Sequence, residues 1–412
     1  MMSRSCSMAA KRFASAAPAS RPASSQQTSV LGNGLSVSSI ELHGAASTFV
    51  LAFRAGSRYQ PADKQGLVQL LRNSVGRDSS EYSGLTLVWN TAANGGNISA
   101  SSNRDVFAIE LNAVRENANI ALSLLGQLGA NAVKPWDVED VKHDTLHYDA
   151  AYLKGSETVI EQLHQAAFRN GSLSRSNYIQ NSISSQALAQ FAADRLVSSE
   201  AVLVGVNVDH ETLVNAASLH FPIREGKASG ASSPSQYFGG DVRRQAPGNS
   251  TFVAVAGQGA ALSSTQEVAT QAVVAQIFLN VTKSNPNVTA VNVNYQESGL
   301  VGVQFEAPNS TVGQVTKDVV KAIKSANASG VEAAKAQTAL QILVAAQKSS
   351  NIALDRATQI LVAGKETTPS EFAAAINKVT ADDVTKFLSK VNGKLSLAVY
   401  GTPALVPYLE EL

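Results

Sequence analysis

Cysteine is nearly absent from this sequence of 412 residues, which contains a single one, Cys6. One thiol cannot form a disulfide within the chain, and it cannot supply a metal site built from several thiolates. The sequence also lacks an apolar run close to the roughly 18 residues that a membrane-spanning helix needs. These absences argue against a disulfide-stabilised secreted domain, a cysteine-based zinc site and a membrane helix of its own.

Charge of either sign is scarce as well. Lys and Arg number 33 and Asp and Glu 32, which gives a formal net charge of +1, and charged residues make up 16% of the chain. Phosphate binding requires a concentrated basic face, and no run of Lys and Arg with interleaved aromatic residues occurs. Gly-x-Ser-x-Gly, Walker A and Gly-x-Gly-x-x-Gly motifs are also missing. The sequence therefore gives no indication of nucleic-acid binding or of these enzyme classes.

The N-terminal segment differs in composition from the rest of the chain. It is rich in Ser and Ala, and no acidic residue precedes Glu41. This composition is typical of a mitochondrial transit segment, whereas the continuous apolar stretch of a secretory signal is missing. We interpret residues 1–28 as a transit segment with its cleavage position left open, and a basic tail is the alternative. The basic residues of the segment are Arg4, Lys11, Arg12 and Arg21.

The chain repeats one pattern, at an offset close to half its length. STFVLAFRAGS (47–57) resembles STFVAVAGQGA (250–260), and both are rich in β-branched and aromatic residues, as buried strands are. Several pairs in the same order indicate a duplication. Two later pairs follow, 106–113 with 301–308 and 201–208 with 395–402.

The length and the repeat predict two domains, because one core rarely extends over 412 residues. Residues 224–250 are rich in Gly, Ser and Pro, which is typical of a linker. We therefore predict domains over 29–223 and 251–412. Each is expected to be an α+β unit, with an antiparallel-rich sheet packed against helices on one face. Amphipathic helices are predicted over 157–168, 331–347 and 370–389, and Thr380 with the acids after it resembles a helix start.

Five separated blocks, in order across both halves, resemble the pitrilysin-type metallopeptidase family. The resemblance runs from about Val30 to the C-terminus, and it implies the two-half fold of that family. The residues Tyr295–Gly299 within the last block are interpreted as strand and turn rather than as a site. The blocks are FRAGSRYQPADKQGLVQLLRNS (53–74), NGGNISASSNRD (94–105), KPWDVEDV (134–141), LHQAAFRN (163–170) and NVNYQESGL (292–300).

The resemblance implies a zinc site that has lost its ligands. In active members a helix carries His-x-x-Glu-His, in which the two His bind Zn²⁺ and the Glu activates the bound water. Gln69 and Asn73 stand at the two His positions, Arg72 at the Glu position, and His147 at a distal Glu ligand. Neutral amides are poor zinc ligands, and a guanidinium cannot accept a proton. No metal, cofactor or catalytic residue is therefore expected.

One pair of histidines has the spacing of metal ligands. His143 and His147 lie four residues apart on a predicted helix, with Asp144 between them. Two ligands rarely hold zinc, and the sequence identifies no third. A solvated or partly buried helix face is the preferred interpretation, and a metal site is the alternative.

Within the family, the blocks are most similar to non-catalytic core subunits of mitochondrial respiratory complex III, the ubiquinol–cytochrome c reductase. This implies a structural role on the matrix side of the inner membrane. The implied partners are a related core protein 1, cytochrome b, cytochrome c1 and the Rieske protein within the complex III dimer. The alternative is a non-catalytic α-type subunit of the mitochondrial processing peptidase. That subunit carries a glycine-rich substrate loop, and nothing comparable lies between Leu279 and Tyr295.

Overall fold

The computed structural model describes residues 25–79, 81–130, 133–145, 154–178, 183–228, 234–285 and 287–412. Its first sheet has the strand order β1-β2-β6-β3-β5-β4. β2 and β6 run parallel, and the other neighbours are antiparallel. The strands are Ser25–Val30 (β1), Ser36–Glu41 (β2), Ala46–Phe53 (β3), Asn97–Ser102 (β4), Phe107–Val114 (β5) and Ala201–Val206 (β6).

The second sheet has the order β7-β11-β8-β10-β9. Here only β7 and β11 are parallel neighbours. The prediction of one antiparallel-rich sheet in each half is therefore confirmed. The strands are Gly240–Gln245 (β7), Ser250–Gly259 (β8), Thr289–Asn294 (β9), Gly299–Pro308 (β10) and Leu395–Gly401 (β11).

Helices pack against both sheets, and in the described part of the chain none is long and apolar enough to cross a bilayer. A π-helical turn, Gln359–Ala363, follows α11. The helices are Leu67–Asn73 (α1), Gly84–Ala93 (α2), Ala118–Gly129 (α3), Pro135–Asp144 (α4), Gly155–Phe168 (α5), Ser185–Arg195 (α6), His210–His220 (α7), Thr265–Val281 (α8), Val312–Lys324 (α9), Val331–Ala345 (α10), Ser349–Thr358 (α11), Pro369–Asn377 (α12) and Ala381–Gly393 (α13).

The helices predicted over 157–168 and 331–347 are confirmed as α5 and α10, whereas the one predicted over 370–389 is wrong as a single helix. It is divided into α12 and α13. The reason is a capping box in which Thr380 Oγ1 accepts from the Asp383 N–H at 3.2 Å, and the Asp383 carboxylate accepts from the Thr380 N–H at 3.1 Å. The predicted helix start at Thr380 is therefore confirmed.

The predicted duplication is also confirmed, because each pair of repeated segments occupies the same place in the two sheets. The first pair forms the central strands β3 and β8, and the later pairs form β5 with β10 and β6 with β11. The order β2-β6-β3-β5-β4 corresponds position by position to β7-β11-β8-β10-β9. The two halves are therefore homologous, and β1 is an additional edge strand of the first.

The predicted linker over 224–250 is wrong in its last part. Residues 240–245 form β7, which pairs in parallel with β11. Its sequence, GDVRRQ, is mostly polar because it is an edge strand with largely accessible side chains. At the other end of the chain, β1 overlaps the end of the predicted transit segment 1–28, while residues 1–24 lie outside the described part. The domain limits at 223 and 251 stay a prediction.

The central strand β3 is buried on both faces. Phe49, Leu51 and Phe53 pack with α1 and α3 in the main core of the first half. The alternating residues, Val50 and Ala52, face the other side of the sheet and belong to a separate apolar cluster. A strand buried on both faces reads as a continuous apolar run, as FVLAF does here.

The second face of each sheet is covered by a helix from the opposite half. Ala353 and Ala357 of α11 are fully buried in one cluster with Val50 of β3. In return, Leu163 of α5 is fully buried in one cluster with Ala254 of β8. The prediction that helices cover only one face of each sheet is therefore wrong. Sequence patterns do not reveal that each half contributes a helix to the sheet of the other half, which we call the helix exchange.

The helix exchange predicts a strong effect of charge at Ala353. The variant Ala353→Asp places an unpaired carboxylate against the first sheet, so we expect the free energy of unfolding to fall by at least about 3 kcal/mol. Urea titration of the purified chain measures this change. The control Ala333→Asp makes the same change at an exposed position in the first turn of α10 and should change stability by under about 0.5 kcal/mol. Equal effects of both substitutions would contradict the exchange.

Candidate functional site

Helix α1 carries Gln69, Arg72 and Asn73, which the resemblance places at the zinc-motif positions, and it begins at a tight turn. Its N-cap, Gly66, has a φ of 100°, in the left-handed region that favours glycine. The Gln60 side chain accepts hydrogen bonds from the backbone N–H groups of Gly66 and Val68 at 2.9 and 3.1 Å. Leu70 and Leu71 are buried in the first core. The helix is thus positioned by its first turn and its apolar side chains.

The structure brings Arg72 and Asn73 together with the end of α4. Asn73 Nδ2 donates to Thr145 Oγ1 at 2.8 Å, and Arg72 Nε donates to Asn73 Oδ1 at 3.4 Å. Gln69 lies one turn earlier and is buried, with 3% of its surface exposed. His147, the residue at the distal ligand position, lies outside the described residues. Asn73 therefore contributes to a contact between two helices.

These side chains do not fit the zinc ion that the family resemblance implies. Gln69 and Asn73 offer neutral amides, which bind Zn²⁺ poorly beside imidazole or carboxylate. The permanent positive charge of Arg72 opposes a cation next to it and excludes this residue as a general base. No hydrolytic step through a metal follows from such a set of donors.

A tyrosine close to Arg72 is no better suited as a base. Tyr178 Oη donates to Glu157 Oε2 at 3.3 Å. Burial raises the pKa of Tyr178 to about 12, with the carboxylates of Glu157 and Glu161 adding to the effect and the charge of Arg72 opposing it. This phenol stays protonated at neutral pH, so it cannot activate water.

Of the pair His143 and His147, the structure describes His143 alone. His143 lies on α4 with 69% of its side chain exposed, and its Nδ1 is 3.7 Å from Asp144 Oδ1. Among the described residues, no three His, Cys, Asp or Glu side chains form a group that could hold a metal ion. The exposure of His143 agrees with a solvated helix face, and the interpretation of the pair stays a prediction because His147 is outside the described part.

Sequence reasoning missed a buried ionic network that joins the two halves. Arg58 is 1% exposed, and its Nη1 donates to Asp105 Oδ1 at 2.8 Å. Its Nη2 forms an ion pair with Glu297 of the second half. Burial opposes the charged form of Arg58, but the two carboxylates outweigh it and raise its pKa, whereas burial raises the pKa of Asp105. Glu297 also accepts from the Ser235 N–H at 3.0 Å.

A second buried group lies beside this network. His164 Nε2 is 2.7 Å from Tyr295 Oη, and its Nδ1 is 2.7 Å from the Ile160 carbonyl. Because a carbonyl only accepts, Nδ1 carries the proton and Nε2 accepts from the tyrosine hydroxyl. Burial, reinforced by the charge of Arg104, holds the pKa of His164 well below its ordinary value. His164 is therefore a neutral, structural histidine.

Four of the five resemblance blocks contain residues of these contacts. Arg58 lies in the first block, Asp105 in the second, His164 in the fourth, and Tyr295 and Glu297 in the last. The prediction of strand and turn for the last block is confirmed, because it connects β9 to β10. Glu297 is the one charged residue of the last block, but its partner 239 residues away could not be identified without the fold.

Acidification should destabilise the protein through His164. The unfolded chain takes up a proton below about pH 6.5, whereas the buried imidazole does not, so stability falls as pH falls, at up to about 1.4 kcal/mol per pH unit. Urea midpoints measured between about pH 7.5 and 5.5 test this. The variant His164→Gln should show a smaller decline, and the exposed control His43→Gln should behave as the parent. An unchanged decline in His164→Gln would contradict the assignment.

Restoring the motif should not restore peptidase activity. In the variant Gln69→His, Arg72→Glu, Asn73→His, the contact of Asn73 with Thr145 is lost, and the distal position still holds His147 rather than a carboxylate. We expect no stoichiometric zinc in the parent after dialysis, and little or no cleavage of a presequence peptide by the variant. Elemental analysis and a processing assay measure the two properties. One tightly held zinc in the parent would return attention to His143 and His147.

Comparison with known proteins agrees with the resemblance seen in the sequence. Residues 36–179 match the family model described as Insulinase (Peptidase family M16). Cytochrome b-c1 complex subunit 2, mitochondrial, of Mus musculus is 28% identical over 99% of this chain and 97% of its own length. Mitochondrial-processing peptidase subunit alpha-2 of Dictyostelium discoideum is 29% identical over 94% of each chain.

A solved structure supports the fold along nearly the whole chain. A chain of complex III2 from Candida albicans, in a structure with Inz-5 bound, superposes with a TM-score of 0.78 at 20% identity. The match covers 93% of this chain and 98% of that one, and at this identity it shows a shared fold. The protein has the two-half fold of the M16 peptidases, and it is similar along nearly its whole length to subunit 2 of the cytochrome b-c1 complex.

Proposed function

We propose that this protein is a non-catalytic structural core subunit of mitochondrial complex III, on the matrix side of the inner membrane. The observation that carries the proposal is the similarity to subunit 2 of the cytochrome b-c1 complex, which extends over 99% of this chain and 97% of that protein. The core protein 1, cytochrome b, cytochrome c1 and the Rieske protein are the proposed partners.

The motif positions support a non-catalytic role. Hydrolysis by the M16 mechanism requires two imidazoles on one helix face and a carboxylate between them. Here the corresponding residues are Gln69, Arg72 and Asn73, of which Asn73 is engaged with Thr145. Three simultaneous replacements remove both the metal ligands and the base, so a peptidase-like fold without peptidase activity is the proposal.

Exposed apolar side chains support assembly with partners. On α2, Leu85, Val88 and Trp89 follow the spacing of one helix face, and 64%, 47% and 69% of their surfaces are exposed. On α10, Leu340 and Val344 repeat this arrangement with 62% and 52% exposed. Helix faces of this kind usually lie in interfaces, because they are costly to leave in water.

The α-type subunit of the mitochondrial processing peptidase is the second candidate. The 29% identity to such a subunit from Dictyostelium discoideum favours it. The connection between α8 and β9 argues against it, because no glycine lies between Leu279 and Tyr295, where the glycine-rich substrate loop would be expected. The structural role in complex III is therefore preferred.

The two candidate functions predict different distributions of this protein between the inner membrane and the matrix. A peripheral subunit of complex III should stay with inner membranes at neutral pH, because polar and apolar interfaces hold it to the other subunits. Alkaline carbonate should release most of it, because high pH deprotonates Lys and Tyr at these interfaces. Immunoblots of pellet and supernatant measure this, with cytochrome b as the control that stays in the pellet. On a native gel of detergent-solubilised mitochondria the chain should co-migrate with cytochrome c1. A chain soluble in the matrix at neutral pH would favour the processing peptidase instead.

A further inference from the structure

A cavity of about 530 Å³ lies in the second half of the chain, away from α1. All of its lining residues fall between Leu262 and Phe372. One wall is formed by α8 and β9, and the other by α10, α11 and the π-helical turn. Its volume lies within the roughly 300–1,000 Å³ of small-molecule sites.

The wall of the cavity combines apolar surface with uncharged amides. Gln341 Nε2 donates to Gln276 Oε1 at 3.0 Å, so these two amides are fixed relative to each other. Such a surface can pack against aliphatic groups and also exchange hydrogen bonds with peptide groups. The apolar part includes Val268, Ala272, Ile342, Ile352 and Phe372, and the amide part includes Gln276, Gln341, Asn292 and Asn294.

Two side chains of opposite charge line the cavity, Asp355 and Lys365. Neither forms an ion pair with another side chain in the described part of the protein. Asp355 Oδ2 accepts from Gln359 Nε2 at 2.8 Å. The Asp355 side chain is accessible from the cavity, but the surrounding wall raises the pKa of its carboxyl to about 6.

The segment between these two charges is held in a defined conformation. It contains the π-helical turn Gln359–Ala363, and such turns are frequent at functional sites. Gln359 Oε1 accepts from the Thr367 N–H at 2.6 Å, and the neighbouring Glu366 forms an ion pair with the buried Arg356. Lys365 therefore extends from a loop whose backbone is held on its C-terminal side.

We propose that this cavity binds a short apolar peptide with free termini. Its ammonium group would meet the Asp355 carboxylate, its carboxylate would meet the Lys365 ammonium, and its peptide groups would bond to the amides of the cavity wall. A ligand with only a positive charge would leave Lys365 uncompensated, and an anion would leave Asp355 uncompensated. The proposal concerns a site separate from the zinc-motif positions, and it does not rest on the assignment to complex III.

Trileucine and its two blocked forms, N-acetyl-trileucine and trileucine amide, test each contact separately. Calorimetric titration of the purified chain at about pH 7.5 should show binding of trileucine with a Kd below about 1 mM. Each blocked form should bind about tenfold more weakly, because it lacks one charge-assisted hydrogen bond. The variant Asp355→Asn should lose the preference for a free N-terminus only, and Lys365→Gln the preference for a free C-terminus only.

Matched control variants lie on α9, outside the cavity. Asp318 is exposed and accepts from Gln314 Nε2 at 2.9 Å, which repeats the pairing of Asp355 with Gln359. The variants Asp318→Asn and Lys317→Gln should therefore bind all three peptides as the parent does. Thermal unfolding of each variant shows that it is folded. Absence of trileucine binding at 1 mM, or equal binding of all three peptides by the parent, would overturn the proposal.

Discussion

The arrangement of the two halves depends on the guanidinium group of Arg58. This side chain is 1% exposed and binds Asp105 from its own half and Glu297 from the other. A buried charge costs several kcal/mol unless it is paired and hydrogen-bonded. Arg58 therefore gains its second carboxylate partner only when the connection between β9 and β10 is docked against the first half. The pair acts as a directional constraint on how the halves meet.

Apolar contacts supply the larger part of the free energy at the same junction. Ala353 and Ala357 of α11 cover the first sheet, and Leu163 of α5 covers the second. Burial of apolar surface is favourable but does not select one orientation. The Arg58 network and the hydrogen bond from Tyr295 to His164 determine the orientation of the two halves, because each requires particular atoms to meet. Neither half alone would have both faces of its sheet covered, so the duplication yields one interdependent unit.

The sequence was sufficient for the parts of the fold that depend on local pattern. The repeated strands were recognisable because β3 and β8 are long apolar runs. The helix start at Thr380 was recognisable because a capping box is a short-range signal.

β7 was missed because an edge strand is polar and resembles a linker. The helix exchange was missed for a different reason: amphipathicity shows that a helix buries one face, but not which sheet it meets. The resemblance places Gln69, Arg72 and Asn73 on a single helix, and the structure confirms that helix. Glu297 could be paired with Arg58 only through the fold.

Helix α1 is held in place by contacts that a peptidase mechanism does not need. Its position depends on Gly66, on the Gln60 side chain and on the apolar residues of its buried face, none of which takes part in hydrolysis. At the motif positions, Asn73 now bonds to Thr145 and connects α1 to α4. The Asn73 amide therefore has a hydrogen-bond partner within the protein and is not left unsatisfied. Selection on assembly alone would retain the core of α1 and these helix contacts, and it would not retain the geometry that zinc requires.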